Sequence, residues 1–341
     1  GVLPVIAHDK GVSIGTTGLL VTVFSLVFGF GAPFLAVFTN HISRNKLLVG
    51  VLLGFCVANV LSALSPTFTL LLLTRVLAAC CAALYMPNAS VIAATLVPPT
   101  QRGQALGVVL GGFSIATVLG VPAGTLIGIH IGWQATFLFV VALTLIALLA
   151  LLILRLPTIA IPQALDLKAR FAPLTNVRML LALLPALFWA CGAFTIYTYI
   201  SVVLRQTTHV TDPSILLLIY GVGLVIGNWL GGIAADRFGV SRPIIFGLIV
   251  LIVTSATLPF TATTIVSAAF VLGIWGIASL IMVAPQQHRL LSFSAGIPTI
   301  IIALSGSISY LGIAAVSGVG NAVLTLTNGS ITVLCLIGAA F

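Results

Sequence analysis

Acidic residues, and charge in general, are scarce in this chain of 341 residues. It contains four aspartates and no glutamate, and charged residues of both signs make up only 5% of the sequence. Hydrophobic residues make up 60%, and the mean hydropathy is +1.31. A soluble domain carries about 25% charged residues, so this chain could not cover itself with a polar surface. The composition excludes a soluble protein and predicts an all-α membrane protein that crosses the bilayer many times.

Signatures of several other protein classes are also missing. The chain has no GxxxxGK[ST] nucleotide-binding loop, no HExxH motif and no nucleophile elbow, so we expect neither an enzyme nor an ATP-driven pump. The basic residues are scattered singly, which argues against a nucleic-acid partner. The cysteines lack metal-ligand spacing, so we expect no metal and no cofactor. We interpret them as small buried apolar residues: Cys56, Cys80, Cys81, Cys191 and Cys335.

Long apolar runs dominate what is present. A membrane-spanning helix needs about 20 apolar residues, and ten such runs stand between polar or Pro/Gly breaks. Stubs at 1–8 and 325–341 extend this to twelve predicted spans, with the first and the last truncated. The longest polar connection predicts an N-terminal half at 1–155, a cytoplasmic linker at 156–177 and a C-terminal half at 178–341. The second to eleventh spans are predicted at 15–38, 46–64, 69–95, 103–129, 133–154, 178–204, 213–235, 242–260, 262–284 and 295–319.

The basic residues predict the orientation of these spans. Ten of the thirteen Lys and Arg residues fall on one side of the predicted membrane, whereas Lys10 and Arg205 fall on the other. Cytoplasmic loops carry the Lys/Arg excess. The even-numbered spans are therefore predicted to end in the cytoplasm, which places both termini of the intact protein there.

An internal repeat relates the two halves. A shift of 196 residues places Asn40 on Asp236 and Lys46 on Arg242, each pair at the cytoplasmic end of the second span of its half. The stretches GAPFLAVFTNHISRNK and GNWLGGIAADRFGVSR are therefore degenerate copies of one element. Internal repeats of this kind are typical of secondary transporters, which bind substrate near the membrane midplane between two halves.

The second copy resembles the loop motif Gly-x-x-x-Asp-Arg-x-Gly-x-Arg of the major facilitator superfamily, with one extra residue before the last arginine. LLLTRVLAACC resembles the fourth-span motif of that family, and ATVLGVPAGTLIG resembles its fifth-span antiporter motif. GVLPVIAHDKGVSI, AFTIYTYIS and GVGLVIGNWLGG are similar to stretches of the drug:proton antiporter-1 group. Within that group the chain resembles bacterial sugar, nucleoside and drug efflux permeases of the arabinose-efflux type.

This resemblance implies the major-facilitator fold of two pseudo-symmetric six-helix halves. It further implies secondary active, proton-coupled efflux of a small organic molecule by alternating access, with a drug, a sugar or a nucleoside-like compound as substrate. The expected partners are the lipid bilayer, the substrate and protons, and the proton gradient is the expected energy source. We expect a multi-pass monomer in a bacterial inner membrane. A facilitator or uptake carrier of the same fold, and a non-transporting truncated membrane protein, stay open as alternatives.

The repeated loop element predicts a conformational latch. The Asp236 carboxylate can pair with Arg237 or Arg242, and it can also face the positive N-terminal end of a neighbouring helix. Such a cluster holds while the cytoplasmic side is closed and must break when that side opens. The alternative is a topology signal with one incidental acid. Asn40 cannot hold an ionic pair, so we expect the two halves to contribute unequally. The predicted latch residues are Asp236, Arg237, Gly239, Arg242, Asn40, Arg44 and Lys46.

Two rows of glycine recur every four residues in the fifth and eighth spans. Such small faces let membrane helices pack closely, and Pro122 should kink the fifth span. The resemblance implies that these two spans meet between the halves, where the rows would act as hinge and seal. Ordinary tight packing is the alternative. The rows are Gly120, Gly124 and Gly128, and Gly223, Gly227 and Gly231.

Candidate pathway residues begin with Arg75, a cation inside the fourth span. It could snorkel to the surface or face a cavity, and we expect the cavity because the family motif implies it. The acids and histidines fall at span ends or in loops, so we expect the proton-binding carboxylate in the missing part of the first span, facing Arg75. Other lining candidates, for which simple packing is an equal alternative, are Tyr85, Asn88, Trp189, Tyr197, Tyr199, Trp275 and Met282.

Overall fold

The computed structural model describes residues 2–39, 42–98, 101, 105, 108–109, 111–112, 115–154, 176–292, 298–327 and 329–341. Within these ranges the regular secondary structure is helical, and no β-strand occurs. Apolar side chains with high exposure lie on many of the helices, as expected for surfaces that face lipid. The predicted all-α class is confirmed.

The first half begins with two short helices, α1 (Leu3–Lys10) and α2 (Ile14–Thr17). Three long helices follow, namely α3 (Leu19–Phe38), α4 (Arg44–Ala63) and α5 (Phe68–Thr95). A π-helical turn at Ala116–Gly120 then continues directly into α6 (Val121–His130). Helix α7 (Trp133–Leu154) ends this half.

The second half begins with α8 (Val177–Tyr197) and the short α9 (Ile200–Thr208). Two long helices follow, α10 (Ser214–Phe238) and α11 (Ser241–Thr261). Next come α12 (Ile265–Ile281), α13 (Val283–Ser292), α14 (Pro298–Leu326) and α15 (Ile331–Ala340). Of the predicted linker, only its last two residues are described.

Polar residues between the apolar runs mark where helices begin. The Thr67 hydroxyl accepts a hydrogen bond from the backbone N–H of Leu70, 3.3 Å away, at the start of α5. Thr264 and Ser267 exchange side-chain and backbone hydrogen bonds as a capping box at the start of α12. Such caps satisfy the N–H groups that the first turn of a helix leaves without partners. Short polar connections therefore separate the membrane helices.

Nine of the described helical segments are long and apolar enough to cross a membrane, and two shorter apolar helices lie at Ala116–His130 and Ile331–Ala340. These eleven segments coincide with the ten predicted runs and with the C-terminal stub. Only the second part of the predicted run at 103–129 forms a described helix. The π-helical turn stands just before Pro122, which lacks the N–H that an α-helix would donate to Val118.

Two predicted spans are interrupted. The run predicted at 178–204 is divided at Thr198 and Tyr199 into α8 and α9. The run predicted at 262–284 ends at Ile281, and Met282 joins it to α13. Pro285 explains the second break, because it has no N–H to donate to the carbonyl of Ile281. Hydropathy alone detects neither break, since apolar residues continue through both.

The helices pack in two groups. In the first group α5 lies between α3 and α4, and α4 also contacts α7. In the second group α12 packs against α10 and α11, while α14 packs against α8. The groups meet along two lines, α3 against α14 and α6 with its π-helical turn against α10. These two contact lines decide how the halves can move relative to each other.

Candidate functional site

The two halves contact each other at one end of the bundle. The Nε2 atom of His130, at the end of α6, lies 3.4 Å from Oδ2 of Asp212, just before α10. Burial raises the pKa of the Asp212 carboxyl, but hydrogen bonds from Ser214 and from His130 bring that pKa below its ordinary value. We call this the His130 end and the opposite side the Asp236 end.

The halves also touch in the middle of the bundle. The rings of Phe28 in α3 and Tyr310 in α14 stack with their centroids 3.9 Å apart. On the other contact line, a Cβ added to Gly221 of α10 would lie 2.8 Å from the Cα of Val118. The prediction that the fifth and eighth spans meet between the halves is therefore confirmed.

The charged residues at the Asp236 end lie on the surface of the described structure. Asp236, Arg237 and Arg242 are exposed, and within the described part of the chain Asp236 forms no ion pair. Gly239 has a φ of +78°, a conformation that favours glycine over other residues where the chain turns into α11. Among the described residues, no ion pair or side-chain hydrogen bond joins Asp236, Arg237 or Arg242 to the first half.

The first copy of the loop is only partly described. Asn40 lies outside the described residues, and Lys46 lies in the first turn of α4. Arg44 begins α4, and its Nη1 atom donates a hydrogen bond to Oδ1 of Asn88 in α5. Asn88 in turn donates to the carbonyl of Leu84 at 2.6 Å. A predicted latch residue and a predicted lining residue therefore form one hydrogen-bonded unit inside the first half.

The glycine row of α10 faces α12 and not the first half. A Cβ at Gly223 would lie 2.5 Å from the carbonyl oxygen of Gly273, and one at Gly227 would lie 2.8 Å from the Cα of Ile277. A Cβ at Gly231 would likewise clash with the backbone of Ile281. The row therefore brings two helices of the same half into backbone contact. This position does not fit the expectation that the row seals the interface between the halves. Periodicity shows which residues of a helix share a face, but not which neighbouring helix covers that face.

The glycines of the fifth span also point within their own half. A Cβ at Gly124 would lie 3.3 Å from Thr136 of α7, and one at Gly128 would lie 3.1 Å from the hydroxyl of the same residue. Around Gly120 nothing lies within 4 Å among the described residues. Pro122 is buried beside the π-helical turn. Both the π-helical turn and α6 contact α10, and the described contact at Gly221 is made by Val118, which belongs to neither row.

Arg75 points into the first half, against α4 and α7. Its Nη2 atom donates to Oγ of Ser62 and lies 3.4 Å from Oδ1 of Asn59. Its guanidinium also stacks over the ring of Phe137, 4.5 Å from the centroid. None of the described acids forms an ion pair with it. Within the described residues, neutral oxygens and an aromatic face therefore hold this cation, and the carboxylate partner expected from the sequence stays a prediction.

Three other lining candidates belong to packed interiors. Trp275 is fully buried, and its indole N–H donates to the Ser255 hydroxyl of α11 at 3.1 Å. Met282 is buried at the joint between α12 and α13. Tyr85 packs beside α4 residues, among them Leu47. For these three positions the structure favours packing, which the sequence could not distinguish from cavity lining.

A row of aromatic rings lies in the second half. It runs from Trp189 through Phe194 and Tyr197 in α8 to Tyr220 in α10 and then to Trp275. Successive ring centroids are 6.1, 5.6, 5.2 and 4.7 Å apart. The three rings of α8 are only half-buried, and the buried indole N–H of Trp189 has no hydrogen-bond partner among the described residues. This is the place in the second half where rings and an available donor meet.

Several residues around these positions were not predicted. Asn59 and Ser62, which hold Arg75, are three residues apart on an otherwise apolar helix, and that spacing could have indicated a shared polar face. No comparable spacing of polar residues indicated Ser255, whose hydroxyl accepts the hydrogen bond from the indole of Trp275. The cysteines behave as predicted, since four of the five are buried and Cys80 is half-buried.

Two groups of membrane-spanning helices, which contact each other along α3 with α14 and along α6 with α10, define a polytopic all-α membrane protein. The family model of the Major Facilitator Superfamily matches residues 1–317. The chain therefore belongs to the Major Facilitator Superfamily, and it is a carrier and not an enzyme.

Named relatives agree with this family. Over 331 residues the chain is 33% identical to the inner membrane transport protein YdhP of Escherichia coli O157:H7, covering 96% of this chain and 85% of the relative. Over 338 residues it is 31% identical to the chloramphenicol resistance protein of Streptomyces lividans, covering 97% and 85%.

Solved structures share the fold at low identity. A mutant form of the nucleoside transporter NupG matches with a TM-score of 0.78 at 13% identity, covering 99% of this chain and 90% of that one. A bacterial homologue of the human lysosomal transporter Spinster, described as inward-facing and unoccupied, matches with a TM-score of 0.71 at 18% identity, covering 99% and 86%.

Proposed function

We propose that this transporter is a proton-coupled exporter of small organic molecules that works by alternating access. The observation that carries the proposal is the asymmetry of the contacts between the halves. Within the described residues the halves contact each other at the His130 end and in the middle, whereas Asp236, Arg237 and Arg242 at the other end are exposed and form no ion pair with a described residue. A carrier must close one end while the other is open.

The distribution of basic residues supports an orientation. Arg237 and Arg242 belong to the basic majority, whereas Lys10 and Arg205 lie on the opposite side. With the basic majority in the cytoplasm, the Asp236 end faces the cytoplasm. The conformation described here is then open to the cytoplasm, in the inner membrane of a bacterium.

The latch follows from this orientation. In the conformation described, Asp236 is exposed and forms no ion pair with another described residue. Closing the cytoplasmic end would bring α10 towards the first half and give the carboxylate a basic group or a helix N-terminus to face. The latch is thus proposed to form only in the conformation that is open to the outside.

Two features support export of a ring-containing substrate. The half-buried rings of Trp189, Phe194 and Tyr197 offer faces on which a planar molecule can stack. The unpartnered indole N–H of Trp189 can donate to a substrate oxygen. A relative at 31% identity is named a chloramphenicol resistance protein, which supports a drug-like substrate and the outward direction.

The proton gradient is proposed as the energy source, with no cofactor. The sequence has no nucleotide-binding loop, and the fifth-span stretch ATVLGVPAGTLIG resembles the motif of antiporters.

Everted membrane vesicles test the energy source directly. Under respiration they should accumulate labelled chloramphenicol or another neutral aromatic antibiotic, and a protonophore should abolish the accumulation. Equilibration without accumulation would indicate a facilitator, and uptake equal to that of vesicles without the protein would contradict transport of these compounds.

A matched pair of tryptophans tests the aromatic site. Trp189→Leu removes a half-buried ring and the free donor, whereas Trp229→Leu changes an exposed ring on α10. We expect Trp189→Leu to lower kcat/KM about thirtyfold, since a ring contact and a hydrogen bond each contribute about 1 kcal/mol, or about 2 kcal/mol together. Trp229→Leu should transport like the parent protein. Equal activity of the two variants at equal membrane levels would show that Trp189 does not contact substrate.

A further inference from the structure

Tyr199 contacts both halves of the transporter. It stands at the break between α8 and α9, and it is only 1% exposed. Its hydroxyl donates to the carbonyl oxygen of Ser317 in α14 at 3.0 Å, and the carbonyl oxygen of Gly15 in α2 lies 3.4 Å away. Ser317 belongs to the same half as Tyr199, whereas Gly15 belongs to the other half. One phenol group therefore bridges the two halves near the His130 end.

Two glycines make room for this ring. A Cβ added to Gly18, in the first half, would lie 2.8 Å from the Cζ atom of Tyr199 and closer still to its oxygen. A Cβ added to Gly320 of α14 would lie 2.5 Å from Cε2 of the ring. Gly18 has φ −59° and ψ −24°, which any residue can adopt. Glycine is therefore required here for space and not for backbone conformation.

We propose that Tyr199 is the positioning residue that closes the His130 end, and that Gly18 is the surface of the first half that receives it. This inference rests on the alternating-access function proposed above. When the halves part at this end, the phenol leaves Gly15 and Gly18 but keeps its bond to Ser317, which moves with it. The seated ring thus favours the conformation described here over the one in which the His130 end is open.

Distances between the halves test the proposal without any need for a substrate. Spin labels at Ile131 and Thr211, both exposed and on opposite halves at this end, report whether it is closed. The five native cysteines are first replaced by alanine. Gly18→Ala should raise the ratio of long to short distances about tenfold, because overpacking a buried contact disfavours the conformation that holds it. The control Gly50→Ala, which makes the same chemical change in α4 with nothing within 4 Å among the described residues, should leave the ratio unchanged.

A double-mutant comparison separates a seated ring from general loosening. Tyr199→Ala should itself raise the long-distance population, and adding Gly18→Ala to it should have no further effect, since the clash needs the ring. If Gly18→Ala shifts the distances equally in the parent protein and in Tyr199→Ala, the proposal is overturned. Unchanged distances in Tyr199→Ala alone would also overturn it. If Gly18→Ala does not fold, Tyr199→Ala and Tyr199→Phe decide alone, and Tyr199→Phe should give a smaller shift.

The distance and transport measurements can fail independently. If the spin-label distances respond to the Tyr199 and Gly18 variants but the protein shows no export, the role of Tyr199 is upheld and the proposed exporter is contradicted. Protonophore-sensitive export together with distances that ignore Tyr199 and Gly18 would uphold the exporter and overturn this inference.

Discussion

Gly227→Ala is expected to destabilise the second half of the transporter. The added methyl group would lie 2.8 Å from the Cα of Ile277 and closer still to its carbonyl oxygen. Both atoms belong to the backbone of α12, so no side-chain rotation can relieve the clash. Helices α10 and α12 must separate, which also loosens the contacts of Gly223 and Gly231 with the same helix.

The size of the effect follows from the packing. Forcing an extra carbon into a well-packed contact costs about 1–3 kcal/mol. In a folding unit of 150–250 residues, each kcal/mol lowers the Tm by about 2–4 °C. The Tm of Gly227→Ala in detergent should therefore fall by roughly 2–12 °C, as the product of these two ranges.

Gly232→Ala is the matched control for this experiment. It makes the same chemical change five residues further along α10, where nothing described lies within 4 Å of the added carbon. The Tm of both variants can be measured by size-exclusion chromatography after heating. Equal Tm values for the two variants would refute the close approach of α10 and α12. A conformational shift at the His130 end without loss of stability would instead restore the interpretation of the row as a hinge between halves.

Three further outcomes are expected. Asp236→Asn should impair transport more than Asn40→Ala at equal membrane levels, because only the aspartate supplies an anion for the latch; equal, small effects would contradict the latch. Cysteines at Ser43 and Thr208 should react with an impermeant reagent from opposite sides of the membrane, and labelling of both from outside intact cells would refute the orientation. The contact between Asp212 and His130 should persist at neutral pH, where the Asp212 carboxyl is ionised. It should be lost as the pH falls through the pKa of Asp212, which lies below the ordinary value, because the carboxylate is then protonated. The spin-label pair should then report a rise in the long-distance population in acid, and Asp212→Asn should show that raised population without the dependence on pH.

The sequence predicted the membrane helices well because the signal is local and strong. A run such as 133–154 is apolar over its whole length, and the helix Trp133–Leu154 occupies the same residues. The break at Tyr199 could not be predicted in this way. At this break Tyr199 contacts Gly15, Gly18 and Ser317, which lie far away in the chain, so no local pattern indicates its position.

In a membrane protein, the hydrophobicity of a residue does not indicate whether the residue is buried in the protein or faces lipid. Trp229 and Trp275 both belong to apolar helices, yet Trp229 is 67% exposed and Trp275 is fully buried. In a soluble protein the apolar face of a helix marks the core, but lipid is as apolar as a protein interior. The sequence therefore could not separate lipid-facing, cavity-facing and packed aromatic residues.

The sequence by itself determined the class of protein, the positions of the spans and the repeated loop that contains Asp236. Composition, run length and a motif within one segment suffice for these, because each depends on residues close together in the chain. Only the tertiary structure decided that Arg75 is held by Ser62 and Phe137, that Gly227 faces α12, and that Tyr199 bridges the halves. Each of these depends on which helix lies next to which, and residues with the same local pattern can be covered by different neighbours.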